Sequence, residues 1–359
     1  MKIFLISNMY PSKTDPLFGV FVKNFREELE NRGVDFAAVS VIEGKRFHRI
    51  QKLFTYLKYY LSIAYNYIFK NYNCVYVHVI THNSPIMAFL LLIFGKKKPL
   101  VINVHGDDVI SSKGKKIDRL NRFVLKKADL IVVPSSYFKQ LVVANYPFLR
   151  AKRILVSPSA GVDIEKFYPV PRAENTIPII GMISRIDAGK GWDIFLDALA
   201  VLKNANVGFI SKIAGQGLEQ QAMQKKIIDL NLTDNVSFLG LIKQDKLVHL
   251  YNELDIMVFP TQKSESLGLV GLEAMACKVP VIGSNIAGLK TYISHTVNGF
   301  LFSPGDAGAL AENIMNFLDL SGVDKDQMRN AAYRTAKDYE SKIVMDNLHK
   351  NLEKLCTKN

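Results

Sequence analysis

Short apolar runs alternate with stretches of helical spacing along most of the chain. Lys2–Ser7 predicts a strand, Asn8–Gly19 a loop, and Val20–Asn31 a helix with Val22, Phe25 and Leu29 near one face, ended by Gly33. Phe36–Ile42, Cys74–Val79, Leu100–Val104, Leu130–Val133 and Arg153–Ser157 predict further strands. Pro85–Phe94 predicts a core-facing helix, and Ser135–Ser136 can cap another that reaches about Tyr146. Repeated strand–helix units of this kind build a parallel sheet covered on both faces. Tyr168–Asn175, YPVPRAEN, is Pro-rich and polar and reads as a linker. The alternation then restarts, with strands at Ile177–Ile183, Val207–Ala214, Val236–Leu239, Ile256–Phe259 and Val279–Gly283, followed by the stretches Ile286–Leu289 and Gly299–Phe302. Helices are expected over Lys190–Leu202 and from about Ala307 and Gln327. The expected class is α/β, with domains over 1–168 and 176–338, a linker over 169–175, and a last segment, 339–359, whose helix packs back on the first domain.

The most distinctive stretch is Pro260–Pro280, PTQKSESLGLVGLEAMACKVP. A polar loop there leads into an almost uncharged helix, Leu267–Ala276, between two apolar strands. Such a helix is buried, and a buried carboxylate needs partners. Glu273 is one of its few polar residues and lies eight positions after Glu265 in the preceding loop. Two carboxylates where loops leave the strands suit a polyhydroxyl or cationic ligand. The alternative is a solvated loop acid and a paired structural acid.

Composition narrows the class. The three cysteines, Cys74, Cys277 and Cys356, are scattered among apolar segments and read as reduced thiols of a cytoplasmic protein. MKIFLISNMY runs straight into a strand and carries no leader pattern. The longest apolar run, Pro85–Phe94, has about half the length that spans a bilayer. Charge is divided unevenly: residues 1–170 hold 26 Lys/Arg against 12 Asp/Glu, and residues 171–359 hold 20 against 21. The first half therefore attracts polyanions, either nucleic acid or an anionic membrane face. Phe47–Lys70 interleaves many aromatic residues with Lys52 and Lys58, and Lys113–Lys127 is a basic helix. These are candidate docking surfaces for an anionic membrane, the alternative being partly buried helices with solvated lysines.

Candidate chemistry gathers where strands end. His105-Gly106-Asp107-Asp108 follows a central strand and belongs at the ligand edge of such a sheet. His78 and His82 straddle a strand end with no third ligand nearby, so a metal is not expected. Gly19 closes the first loop, and the absence of GxGxxG there argues against a dinucleotide-binding dehydrogenase. In the second half, Arg185 and Lys190 flank a glycine-containing loop and suit a diphosphate. Gly215-Gln216-Gly217 leads into a helix start, where N–H groups can meet a base or phosphate. No Walker A lysine motif and no Asp-rich cluster is present, which argues against an ATPase.

Arg185, Lys190, Gly215, Gly217 and above all the Glu265–x7–Glu273 pattern resemble the donor site of glycosyltransferase family 4, and His105-Gly106-x-Asp108 resembles its HGxD loop. The resemblance covers essentially the whole chain and extends to bacterial capsule and O-antigen enzymes. It implies a GT-B fold, two Rossmann-like domains facing across a cleft. It also implies retaining transfer from a UDP- or GDP-sugar, forming an α-glycosidic bond without a bound metal or tight cofactor. By similarity, Glu273 accepts ribose hydroxyls, Arg185 and Lys190 neutralise the leaving diphosphate, and Glu265 holds sugar hydroxyls. Ser266, Leu267 and Gly268 cradle sugar and phosphate, and His105 contacts the transferred sugar. The implied acceptor is a lipid-linked or other envelope saccharide at the inner membrane face, with no nucleic acid partner. Two positions depart from the pattern: Ala160 stands for Asn in an NGVD turn, and Thr291 for Glu in the stretch after the Leu267–Ala276 helix. A GT-B epimerase or hydrolase, and a non-catalytic polyanion binder, are the competing readings.

Overall fold

A computed structural model describes residues 1–16, 18–45, 48–106 and 112–357. The chain forms two compact units, Met1–Ala160 with the chain from Lys342 onward, and Gly161–Ser341.

Among the described residues the first unit holds a six-stranded parallel sheet in the order β2-β1-β3-β4-β5-β6. The strands are β1 (Lys2–Tyr10), β2 (Asp35–Glu43), β3 (Cys74–His78), β4 (Leu100–Asn103), β5 (Leu130–Val133) and β6 (Ile154–Val156). The crossover helices are α1 (Val20–Glu30), α2 (Arg49–Phe69), α3 (Ile80–Ile93), α4 (Lys116–Lys127) and α5 (Ser136–Asn145). β3 and β4 are buried throughout, as continuous apolar runs in a doubly covered sheet require. Val22, Phe25 and Leu29 of α1 share one core with Met345, Leu348 and Leu352 of the C-terminal helix, Ser341–Thr357. Arg32 fixes that helix at its start by donating to Asp346 at 2.8 Å.

Helix α3 differs from expectation. It starts at Ile80, with Pro85 inside it. Pro85 has no N–H to give the Thr81 carbonyl, and that oxygen instead accepts from the Ser84 hydroxyl at 3.4 Å. Nor does the whole helix face the core. Met87, Leu90 and Leu91 are buried, but Leu92 is 67% exposed, and Phe89, Ile93 and Phe94 are exposed too. An all-apolar stretch carries no helical stripe from which to read its inner face.

The second unit repeats the architecture in the order β12-β11-β10-β7-β8-β9, again all parallel among the described residues. Its strands are β7 (Ile179–Ile183), β8 (Ile210–Ala214), β9 (Val236–Gly240), β10 (Ile256–Phe259), β11 (Val281–Ser284) and β12 (Gly299–Phe302). Its helices are α6 (Trp192–Asn204), α7 (Gln220–Asp229), α8 (Leu247–Glu253), α9 (Leu269–Ala276), α10 (Ala307–Leu318) and α11 (Gly322–Asp338). The short α8 has no counterpart among the helices the spacing predicted.

The units change over at Ala160/Gly161, ahead of the expected boundary at 168. Val162 and Phe167 are buried in the second unit's core, with Phe167 edge-on to Tyr251. The Pro-rich stretch is strapped along this unit: the Val170 N–H donates to Asn252 at 2.7 Å, and Arg172 and Asn175 both donate to Asp255. Its polar side chains serve as anchors, which composition does not distinguish from solvated linker residues.

Candidate active site

Sheet order fixes where each unit can hold a ligand. In the second unit β7 leads outward to β8, whereas β10 returns to β7's other side, so the topological switch lies between the C-terminal ends of β7 and β10. The loops leaving these strands, residues 184–191 and 260–268, carry the predicted Arg185, Lys190 and Glu265. Lys190 Nζ donates to Glu265 Oε1 at 2.5 Å, and the Thr261 hydroxyl donates to the same oxygen at 3.0 Å. The Gln262 N–H donates to the Gly189 carbonyl at 2.9 Å, tying the loops together. Gly191 makes this approach possible. Its φ is +81°, and a Cβ there would lie 1.9 Å from the Pro260 oxygen. Helix α6 begins only after Gly191, so Lys190 stays on the loop and is not carried off on a helical face.

The two predicted cations differ in setting. The Lys190 side chain is 14% exposed and paired, while Arg185 is 63% exposed and reaches Asp187 at 3.0 Å. Asp187 also accepts from the Leu218 N–H at 2.9 Å, binding the β7 loop to the glycine loop after β8. In that glycine loop the Gly215 N–H donates to the Gly240 carbonyl at 2.8 Å, and α7 does not begin until Gln220. Gly215 thus serves loop packing, and the helix start lies beyond Gly217.

Glu265 and Glu273 have separate partners. Glu273 lies in α9, a helix buried over Gly271–Ala276, and accepts from the buried Tyr251 hydroxyl at 2.9 Å. Burial raises its pKa above the usual carboxylate value, opposed by the Tyr251 hydrogen bond, the Lys166 charge and Gln244. Gly268 is the N-cap of α9, and its carbonyl accepts from the Tyr292 hydroxyl at 3.2 Å. Leu267 is buried, and the Glu265 carbonyl accepts from the Gly288 N–H at 3.0 Å. The backbone around Ser266 is therefore fixed from both sides.

In the first unit the switch lies between β1 and β3. Gly19, at the end of the β1 loop, caps α1 with φ +73°, and a Cβ there would lie 2.5 Å from the Met9 carbonyl carbon. His105 follows β4, and its Nε2 is 3.0 Å from Nδ1 of His78 at the end of β3. Phe21 packs on His105 with ring centroids 4.6 Å apart, and Phe25 meets His78 edge-on at the same separation. Burial lowers the His105 pKa to about 4. His78 is pushed well below its usual value by burial and by its neighbour's charge. Both rings are neutral at pH 7. Asp107 and Asp108 lie outside the described residues.

Sequence reasoning missed His78 as a partner of His105, Tyr251 as a partner of Glu273, and Thr261 and Asp187 as loop ties. A signal existed for His78: adjacent parallel strands both run into a histidine near their C-terminal ends, with His78 in register with Asn103. Among the described residues no group of three His, Cys, Asp or Glu is placed to hold a metal.

Two parallel-sheet units, each with polar loops at its own switch point, place the chain among the doubly wound α/β proteins. Two family models match consecutive stretches: Glycosyltransferase Family 4 over residues 19–166 and Glycosyl transferases group 1 over residues 163–337. The chain belongs to glycosyltransferase family 4, the group 1 transferases of GT-B fold. D-inositol 3-phosphate glycosyltransferase of Mycolicibacterium smegmatis is 32% identical over 205 residues, which are 55% of this chain and 46% of that protein. The chain thus matches about half the length of that curated relative. Among solved structures, sucrose-phosphate synthase from Thermosynechococcus elongatus superposes with a TM-score of 0.81 at 19% identity, covering 100% of both chains. Anabaena HepE, solved in complex with UDP, superposes with a TM-score of 0.77 at 19% identity, covering 99% of this chain and 100% of that one.

Proposed function

We propose that this protein moves a sugar from a nucleotide-sugar donor to an envelope saccharide, with retention of configuration. The observation that carries the proposal is the Lys190–Glu265–Thr261 cluster, which joins both loops at the β7–β10 switch. In this reading the diphosphate draws Lys190 away from Glu265, and the freed carboxylate turns to sugar hydroxyls. Lys190 and Arg185 then meet the charge that grows on the leaving group, where a preorganised cation is most effective. Ser266, Leu267 and Gly268 line the phosphate and sugar, and Glu273 accepts from ribose hydroxyls with Tyr251 holding its other side. The relative named as an inositol-phosphate glycosyltransferase and the UDP complex of HepE support a nucleotide-sugar donor. His105 is assigned to the transferred sugar, with Gly19 closing the same edge of the first unit.

The acceptor is assigned to the first unit and, through it, to a lipid surface. Tyr56 lies within hydrogen-bond distance of His82 Nδ1, at 3.3 Å, and the Tyr60 hydroxyl donates to the His82 carbonyl at 2.8 Å. These rings stand where α2 meets the start of α3, near the sheet's ligand edge. Along α2, Ile50, Leu53, Phe54, Leu57, Leu61, Tyr65 and Phe69 are all more than half exposed. The apolar end of α3 and Lys96–Lys98 continue this surface, for Tyr67 of α2 donates to the Gly95 carbonyl. The described part of Phe47–Lys70 and the basic Lys113–Lys127 helix are assigned to docking on an anionic membrane. No helix among the described residues is long and apolar enough to cross one.

The test is turnover of a panel of UDP- and GDP-sugars with vesicle-borne saccharide acceptors. Donor- and acceptor-dependent product, reduced by Leu61→Asp only when the acceptor is in vesicles, is the expected result. Sugar released or epimerised without acceptor would replace transfer by the hydrolase or epimerase reading.

A further inference from the structure

The β3 end holds an arrangement that the functional reading does not use. His78 is 1% exposed, and its Nε2 is buried without a hydrogen-bond partner. The other ring nitrogen, Nδ1, faces His105 Nε2 at 3.0 Å. The backbone that carries His78 is held in an unfavourable shape. The next residue, Val79, has φ +61°, a left-handed conformation that β-branched residues avoid. Three hydrogen bonds maintain it. The Val79 N–H donates to the Asn103 carbonyl at 3.2 Å, and Asn83 Nδ2 donates to the carbonyls of His78 and Val79 at 2.8 and 2.9 Å. Asn83 is itself held by the Tyr59 hydroxyl at 2.6 Å. Strain that the surroundings enforce so fully points to a placement that matters.

Only one proton occupies the line between two neutral imidazoles. If it belonged to His105 Nε2, neutral His78 would carry its own proton on Nε2, leaving a buried N–H with no acceptor. If it belongs to His78 Nδ1, what remains unpaired is a lone pair. Orphaned buried N–H groups are the rarer of the two in native proteins. We propose that His78 is a positioning residue that donates from Nδ1 to His105 Nε2 and thereby fixes His105 as the Nδ1–H tautomer. His105 Nε2 is then committed, so any further polar contact that neutral His105 makes is as a donor from Nδ1–H. This deepens the transferase reading and rests on it for one point, that His105 serves the transferred sugar. There His105 would donate to a hydroxyl and would not act as a general base. Phe21, Phe25 and Tyr76 pack on the pair and bury His78.

The experiment is ¹⁵N-histidine NMR of the full chain at pH 7, reading which nitrogen of His105 bears hydrogen. It compares the wild type with His78→Asn, whose amide can donate near the Nδ1 position, and with His78→Leu, which cannot. The expected result is Nδ1–H in the wild type and in His78→Asn, with His105 passing to the Nε2–H form or a mixture in His78→Leu. Nε2–H in the wild type, or Nδ1–H retained in a folded His78→Leu, would overturn the proposal. If His78→Leu does not fold, the wild-type tautomer alone decides. No sugar donor is needed, so this result and the transferase reading can fail separately.

Discussion

At the β7–β10 edge of the second unit the candidate groups are ions on loops. At the β1–β3–β4 edge of the first unit they are neutral rings held by the sheet. Lys190 and Glu265 meet as charges at 2.5 Å on two backbones brought together at Gly191. His78 and His105 meet at 3.0 Å as imidazoles that burial keeps uncharged. An ion pair of this kind can exchange partners when an anion arrives. A neutral imidazole pair has no charge to exchange and offers only hydrogen bonds. The two edges thus differ in kind, paired charges at one and uncharged hydrogen-bonding rings at the other.

The first way to break this contrast is Lys190→Ala. It leaves Glu265 with Thr261 and removes the cation proposed for the leaving group, so kcat should fall by about 10²–10³. Initial rates at saturating donor check this. A fall of less than threefold would mean that the ion pair is structural.

Next in size is Gly191→Ala. The new Cβ would meet the Pro260 carbonyl in a backbone conformation that already disfavours it, so urea unfolding should show a loss of roughly 3 kcal/mol. Unchanged stability would show that the loops have room to part. Tyr251→Phe follows. It strips the partner from a buried carboxylate and should cost about 2 kcal/mol with the fold retained. A neutral result would mean that solvent reaches Glu273.

The last effect sharpens the other side of the comparison. The His105 pKa falls from 6.5 in the unfolded chain to about 4 in the fold. As pH drops, the unfolded chain therefore takes up its proton first. The contribution is whole above pH 6.5 and is lost progressively toward pH 4, on the order of 1–3 kcal/mol. Thermal unfolding across that window should show this acid loss, and a flat profile would place the histidines in water.

The same contrast explains what was legible in the sequence. The alternation gave two parallel sheets because doubly covered strands are continuous apolar runs. The second unit's polar groups stood out because charged residues beside glycines after a strand have few structural uses. What did not show was which groups meet. Glu265 and Glu273 look like a pair in sequence, yet one bonds Lys190 and Thr261 and the other Tyr251, because the turn into α9 separates loop from helix. In sequence His78 pairs only with His82, where no metal is expected, and its partner His105 is set by strand order. The outward residues of α3 were hidden by uniform apolarity, and the anchoring of 169–175 by a composition typical of linkers.

In the proposed function the donor nucleotide sits at the β7–β10 edge, on Lys190 and its neighbours. Calorimetric titration of UDP and of GDP into wild type, Lys190→Ala and His78→Leu tests it most directly. The expected result is binding of one nucleotide by the wild type, its loss in Lys190→Ala, and its retention in His78→Leu. Equal binding by wild type and Lys190→Ala would contradict it.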